Sequence, residues 1–258
     1  MMPNVVVAIA IGLAIGGVLG LVGAGGAVLA VPAFLYAFGF APVAATTASL
    51  AVVAASAGSG LITRWPRGDI RVRQGVAFWA LGLAGAFAGA RLALIVSDLI
   101  LIVGFTVIML SAGVAMWRRG QATPAPERLA PRRALVLLIA SALAIGVMTG
   151  LFGVGGGFLV VPALILVLGM PFEAAAGTSL LVIVLSSISA LLFRHDAWGQ
   201  VNWAVSAMVI GGGLVGSVVA ARLSGRIDQK LLQKGFAILL VVLAVGMVVE
   251  SLVTSGIG

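Results

Sequence analysis

GLVGAGGAVLAVPAFLYAFGFAPVAATTASL, at residues 20–50, returns without a gap as GLFGVGGGFLVVPALILVLGMPFEAAAGTSL at residues 150–180. Fourteen of the 31 positions are identical, and they include glycines, a proline and a serine that bound the apolar runs. The chain is therefore a duplication of one unit. Each copy interrupts an apolar stretch with adjacent glycines, which predicts two equivalent hairpins with glycine tips.

The composition indicates the solvent in which the chain folds. Hydrophobic residues make up 62% of the 258 residues and charged residues 9%, and the mean hydropathy is +1.27. A water-soluble domain could not cover its surface with so few polar side chains, so we predict an integral membrane protein. The net charge of +8 comes from basic residues in loops between apolar runs, which indicates membrane topology and not a nucleic-acid partner.

Five apolar segments can be read in each half of the sequence. They cover residues 5–22, 27–39, 43–63, 75–92 and 99–117, then 134–151, 157–169, 173–193, 203–221 and 231–252. The second segment of each half would span only about 20 Å as a helix, against a hydrocarbon core of about 30 Å. We predict an all-α polytopic membrane protein of two repeats, each with a glycine-tipped helical hairpin, spanning or re-entrant, and three transmembrane helices.

The placement of charge favours an inverted relation between the repeats. If each hairpin enters and leaves on one side, thirteen of the fifteen basic residues share one side, and Arg91 and Arg194 lie on the other. If the two segments beside each glycine tip together make one crossing, ten basic residues lie on one side of the membrane and five on the other. We therefore predict a first inverted repeat at residues 1–117, a cytoplasmic linker at 118–133 and a second inverted repeat at 134–258, with both termini outside.

The glycine tips are the predicted binding site for an anion. Adjacent glycines leave amide N–H groups uncovered, and the helix that follows points its positive N-terminal end at the tip. Glycines that only let helices pack would recur at helical spacing, as Gly12, Gly16 and Gly20 do. The predicted binding glycines are Gly23, Gly25, Gly26, Gly153, Gly155, Gly156 and Gly157.

Hydroxyl groups follow each tip, early in the next predicted helix. They are Thr46, Thr47 and Ser49 in the first half, and Thr178 and Ser179 in the second. Each could donate a hydrogen bond to a bound oxyanion, or could bond back to a carbonyl four residues earlier in its own helix.

Two arginines are weaker candidates for the site. Arg91 and Arg222 stand in matching ARL sequences, where each could attract an anion in a vestibule on its own face or extend to lipid headgroups.

The residues needed for other chemistry are scarce. The chain has one histidine and no cysteine, and its acidic residues lie in loops or near segment ends. We therefore predict no metal, no cofactor and no enzymatic activity. The five tryptophans are interpreted as anchors at the membrane interface.

The two GxGG tips, each followed by a VP step, an A-x-x-x-(T)-S stretch and a later ARL, resemble the sulfite exporter TauE/SafE family of small membrane permeases. The resemblance extends over nearly the whole chain. It implies a transporter in the bacterial cytoplasmic (inner) membrane that moves sulfur-containing anions such as sulfite or organosulfonates, usually outward.

The duplication and the resemblance together predict a permease that works by alternating access. Transport of another small anion, such as a carboxylate, is one alternative. A membrane assembly protein without transport activity is the other.

Overall fold

Every element of the described chain is helical. In the computed structural model, the residues described are 5–92, 98–121, 131–152 and 157–255. The helices are α1 Val5–Val22, α2 Gly26–Pro32, α3 Pro42–Arg64, α4 Val72–Leu92, α5 Asp98–Gln121, α6 Pro131–Phe152, α7 Gly157–Leu166, α8 Phe172–Phe193, α9 Trp203–Ser224 and α10 Gln229–Ser255. This confirms the predicted all-α polytopic fold. At the linker, residues 118–121 extend α5, and Pro131 begins α6 because proline suits the first turn of a helix.

Five of these helices are long and apolar enough to cross a membrane, counted within the described residues. They lie at Val5–Val22, Pro42–Arg67, Val72–Leu92, Phe172–Phe193 and Trp203–Ser224. The second helix of each half is short, as predicted. The α2 helix has seven residues and continues into a π-helical turn at Ala33–Ala37, and α7 has ten residues.

The duplication is visible in the local structure of both hairpins. After each short helix the chain turns at a glycine in the left-handed region, Gly39 with φ 66° and Gly169 with φ 65°. The amide of the next residue donates to an equivalent carbonyl in both halves, over 3.0 Å from Phe40 to Phe34 and over 3.0 Å from Met170 to Leu164. The two halves therefore share one turn as well as one sequence.

Two helix pairs run parallel, and each pair consists of one helix from each half. The α1 helix packs along α9, and its equivalent α6 packs along α4, which is the equivalent of α9. A Cβ at Gly16 would overlap the carbonyl oxygen of Gly213, and a Cβ at Gly146 would overlap that of Gly82. Glycine at these positions is therefore required by the close approach of the backbones.

Two further contacts join equivalent helices in antiparallel order. Along α3 and α8, Thr46 meets Arg194 at one end and Gly60 meets Leu180 towards the other. Between α5 and α10, the amide nitrogen Nε2 of Gln233 donates to the carbonyl of Met116 over 3.0 Å. In these two pairs, the equivalent helices therefore point in opposite directions.

Two arginines cap the parallel pair α1 and α9 at their carbonyl ends. Arg64 donates to the carbonyls of Gly20 and Leu21, and Arg67 donates to the carbonyl of Ala221. Parallel helices place two negative dipole ends side by side, each equivalent to about half an elementary charge, so cations stabilise this corner.

Candidate functional site

The first glycine tip is buried against the second half of the chain. Gly23 and Gly25 have φ of 74° and 88°, and Ala24 between them is fully buried. The carbonyl of Gly23 accepts a hydrogen bond of 2.7 Å from the Ser179 hydroxyl, and a Cβ at Gly23 would overlap the carbonyl oxygen of Ala176. The tip is held in place by α8.

The second tip falls mostly outside the described residues. Of its predicted binding glycines, Gly153, Gly155 and Gly156 lie there, and Gly157 is the first residue of α7. A Cβ at Gly157 would lie 2.8 Å from the Ile183 side chain, so the start of α7 packs against the middle of α8.

The predicted hydroxyls are mostly engaged by protein groups. Thr46 donates to the carbonyls of Pro42 and Val43, Thr47 donates to Val43, and Ser49 donates to Thr46. Thr178 accepts from the amide of Arg71, and Ser179 donates to Gly23 or Ala176. Thr47, Ser49, Thr178 and Ser179 are buried.

The two arginines of the ARL sequences are exposed at helix ends. The guanidinium of Arg91 lies 5.2 Å from the centroid of the Phe87 ring. The carbonyl of Arg222 accepts a hydrogen bond from Arg67. Neither arginine lines the cavity described next, although Ala90, the neighbour of Arg91, does.

A cavity of about 330 Å³ lies between parts of α4 and α8. It is enclosed by α3 and α6 as well, and the ends of α2 and α7 reach it. Its volume is at the small end of the range of ligand pockets, about 300–1,000 Å³. Of the predicted binding residues, Thr46, Ser49 and Gly157 line it; we call it the Arg194 cavity, after the one charged residue in its lining.

The polar groups of the Arg194 cavity are hydroxyls, an indole N–H and a guanidinium, which carries the single positive charge of the described lining. Arg194 is exposed at the C-terminal end of α8, and its Nη1 donates to the Thr46 hydroxyl over 2.8 Å. Within the described part of the chain, Arg194 pairs with no acidic side chain. Thr149, Ser186 and Ser187 add hydroxyls to the lining. A small anion is the ligand that this combination of groups suits.

Trp79 and Arg194 are among the residues of this cavity that sequence reasoning missed. Trp79, interpreted as an interfacial anchor, is half-buried and lines the cavity, and its indole Nε1 has no hydrogen-bond partner among the described residues. Arg194 stood out in the sequence only as one of two basic residues on the minority side. An unpartnered buried N–H is rare, and a ligand in the cavity would supply its acceptor.

Chemistry other than binding has no evident machinery in the described residues. They contain no group of three or more His, Cys, Asp or Glu side chains that could hold a metal ion. Their one ion pair joins the exposed neighbours His195 and Asp196 over 3.0 Å. The fold and the cavity thus define a multi-pass membrane protein with a mostly apolar cavity that carries a few polar groups inside a helical bundle, the class to which transporters belong.

Comparison with known proteins gives the family. The sequence model of the sulfite exporter TauE/SafE family matches residues 8–247. A probable membrane transporter protein of Xylella fastidiosa (strain 9a5c) is 34% identical over 248 residues, which cover 94% of each chain. The probable membrane transporter protein YunE of Bacillus subtilis is 24% identical over 269 residues, covering 96% of this chain and 98% of its own. No solved structure gives a significant match.

The chain belongs to the sulfite exporter TauE/SafE family and is a membrane transporter. The predicted resemblance is confirmed over nearly the whole chain. Its partners are accordingly a small-molecule substrate and the lipid bilayer.

Proposed function

We propose that the chain is a permease that exports a small sulfur oxyanion, such as sulfite or an organosulfonate, by alternating access. The observation that carries this proposal is the Arg194 cavity, whose described lining brings one guanidinium, the Trp79 indole N–H and several hydroxyls together without an acidic side chain. These donors match the oxygens of a sulfur oxyanion, and the family membership favours sulfur over carbon at its centre.

The proposed architecture is an inverted repeat, with halves at residues 1–117 and 134–258. Antiparallel packing of α3 on α8 and of α5 on α10 supports it, because an axis in the membrane plane reverses each helix relative to its equivalent. In the proposed bacterial inner-membrane topology the linker 118–133 is cytoplasmic, both termini are outside, and the Arg194 cavity faces outward.

The glycine tips have a positioning role in this proposal. The first tip is held by Ser179, and Gly157 borders the Arg194 cavity, so the tips set the depth at which the halves meet. The anion binds between Arg194, Thr46, Ser49 and Gly157.

Thermal unfolding of the purified protein in detergent tests the ligand. The panel is sulfite, sulfoacetate, taurine, thiosulfate, sulfate, acetate and chloride, because a ligand of the folded state raises the unfolding midpoint. We expect a selective rise with one sulfur oxyanion, lost in Arg194→Gln and kept in Arg118→Gln, a control at an exposed arginine at the end of α5. A rise with acetate alone would replace the sulfur oxyanion with a carboxylate, and no rise with any anion would overturn the proposed site.

A further inference from the structure

Arg64 is the largest fully buried side chain in the described residues. It is 1% exposed, and its Nη2 donates to the carbonyl of Gly20 over 2.8 Å and to the Ser224 hydroxyl over 2.9 Å. These contacts close the end of α3 against the ends of α1 and α9. The guanidinium Nε is buried and has no partner among the described residues.

Arg64 is also the repeat equivalent of Arg194. The alignment of residues 20–50 with 150–180 has an offset of 130, and it continues without a gap along α3 and α8 to pair these two arginines. The antiparallel order of α3 and α8 places them at opposite ends of the bundle. One copy of the same residue is buried at a closed corner, and the other is exposed beside an open cavity.

The helices beside the two arginines differ in the same way. At the Arg64 end, Ser56 and Gly60 of α3 pack directly on α9: a Cβ at Gly213 would overlap the Ser56 hydroxyl, and a Cβ at Gly60 would lie 2.6 Å from the Ser217 hydroxyl. We call this contact the Arg64 seam.

At the Arg194 end, the equivalent residues are separated by the cavity. Ser186 and Ala190 of α8 are the equivalents of Ser56 and Gly60, and Gly82 and Ala86 of α4 are the equivalents of Gly213 and Ser217. All four line the Arg194 cavity. The Arg64 seam is therefore the closed form of the cavity, built from equivalent residues.

The Arg64 seam contains polar groups that its closed form does not satisfy. The hydroxyls of Ser56 and Ser217 are fully buried, and neither has a hydrogen-bond partner within the described ranges. With Arg64 Nε they make three donors on one seam. Buried unpaired donors destabilise a structure, so each calls for an explanation, such as a ligand or another state that satisfies it.

We propose that the Arg64 seam opens, when the Arg194 cavity closes, into a second anion-binding cavity in which Arg64, Ser56 and Ser217 contact the transported oxyanion. This inference rests on the proposed function and adds the inward-facing half of the path. Arg194 then takes the capping position at the carbonyl end of α6 that Arg64 now has at α1. The two arginines alternate between capping a helix and receiving the anion.

Single cysteines test the opening, because the natural chain contains none. Ser56→Cys reports on the seam, Ser186→Cys reports on the cavity, and Ser206→Cys is a control at a fully buried serine that donates to the Asn202 carbonyl. Each variant of the full chain is reacted in detergent with a small charged thiol reagent, with and without a second substitution at an arginine. The measured quantity is the labelling rate.

The expected result is reciprocal. Arg64→Gln removes the cap that closes the seam, so labelling at position 56 rises and labelling at 186 falls, by about tenfold in their ratio. Arg194→Gln changes the ratio in the opposite direction. A rise at 56 without a fall at 186, or a seam cysteine as unreactive as position 206 in every background, would overturn the opening.

A milder substitution tests the anion contact while Arg64 is intact. Ser224→Ala removes one acceptor of Arg64, so it opens the seam in part. Methanesulfonate, which does not react with thiol reagents, is then expected to slow labelling at position 56 in Ser224→Ala and not in Ser224→Ala combined with Arg64→Gln. Equal labelling with and without methanesulfonate in both backgrounds would contradict anion binding at the Arg64 seam.

The labelling and transport experiments fail separately. Reciprocal labelling in a protein that transports no anion would overturn the proposed function. It would leave standing the alternation between an open Arg64 seam and an open Arg194 cavity. Anion transport that requires Arg194, in a protein whose seam cysteine is never labelled, would overturn the opening of the seam and leave the proposed function standing.

Discussion

The Arg64 seam and the Arg194 cavity are two copies of one structural unit in different states. Both consist of the end of a long helix, an arginine and a parallel helix pair. They differ beside the arginine, where Ser56 and Gly60 of α3 pack on α9 while Ser186 and Ala190 of α8 line the cavity. The difference shows that a duplicated sequence can hold one copy closed and the other open within one chain. The two parallel pairs, α1 with α9 and α6 with α4, resemble each other. The asymmetry therefore lies in how α3 packs on the first pair and α8 on the second.

The largest expected effect is the difference in stability loss between substitutions at Arg64 and at Arg194. We expect Arg64→Gln to lower the free energy of unfolding by about 3 kcal/mol, because the buried Ser224 hydroxyl and the carbonyls at the end of α1 lose a charged donor. Arg194→Gln, at an exposed position, should cost under about 1 kcal/mol. Denaturant unfolding in detergent measures both, and equal losses would mean that the two ends are not in different states.

The next effect tests the likeness of the parallel pairs. Gly16→Ala and Gly146→Ala should each destabilise the protein by about 2 kcal/mol, since each new methyl group overlaps a backbone carbonyl of the partner helix. The control is Gly17→Ala, where no atom lies within 4 Å and a gain of up to about 1 kcal/mol is expected. A large loss at only one of the two equivalent glycines would contradict the pairing.

A smaller effect is expected at the seam itself. Gly60→Ala places a methyl group against the Ser217 hydroxyl and should cost about 1 kcal/mol, because that hydroxyl can turn away. Its equivalent, Ala190→Val, adds methyl groups next to open space in the cavity and should leave the unfolding midpoint nearly unchanged. The comparison fails if the cavity variant is the less stable of the two.

The smallest effect concerns an unpartnered donor. Trp79→Phe removes the indole N–H that lines the Arg194 cavity, so stability without ligand should hardly change while the rise of the midpoint with an anion becomes smaller. Trp203→Phe is the matched control, because its Nε1 donates to the carbonyl of Trp198. A stability loss in Trp79→Phe with an unchanged anion response would assign Trp79 a structural role.

Sequence reasoning predicted the helices well because lipid leaves few alternatives. Apolar runs bounded by glycine, proline and arginine fixed the order of long and short helices, and most predicted ends lie within a turn of those observed. The antiparallel order of equivalent helices agrees with the charge argument for inversion, which stays a prediction until topology is measured.

The site could be predicted only in part. The repeated glycines and hydroxyls indicated which segments matter, and Thr46, Ser49 and Gly157 do line the cavity. The repeat could not show which copy is open, because equivalent residues such as Arg64 and Arg194 have the same chemistry. Trp79 and Ser186 became visible only when packing placed them beside the cavity.

The most direct test of the proposed anion path through the Arg194 cavity is anion flux through the purified protein in liposomes. Vesicles loaded with sulfite are diluted into sulfite-free buffer, and external sulfite is followed with wild type, Arg194→Gln and Arg118→Gln. We expect release with wild type and Arg118→Gln, and release reduced to the rate of sulfite-loaded liposomes without protein with Arg194→Gln. Undiminished release with Arg194→Gln would contradict an anion path through the Arg194 cavity.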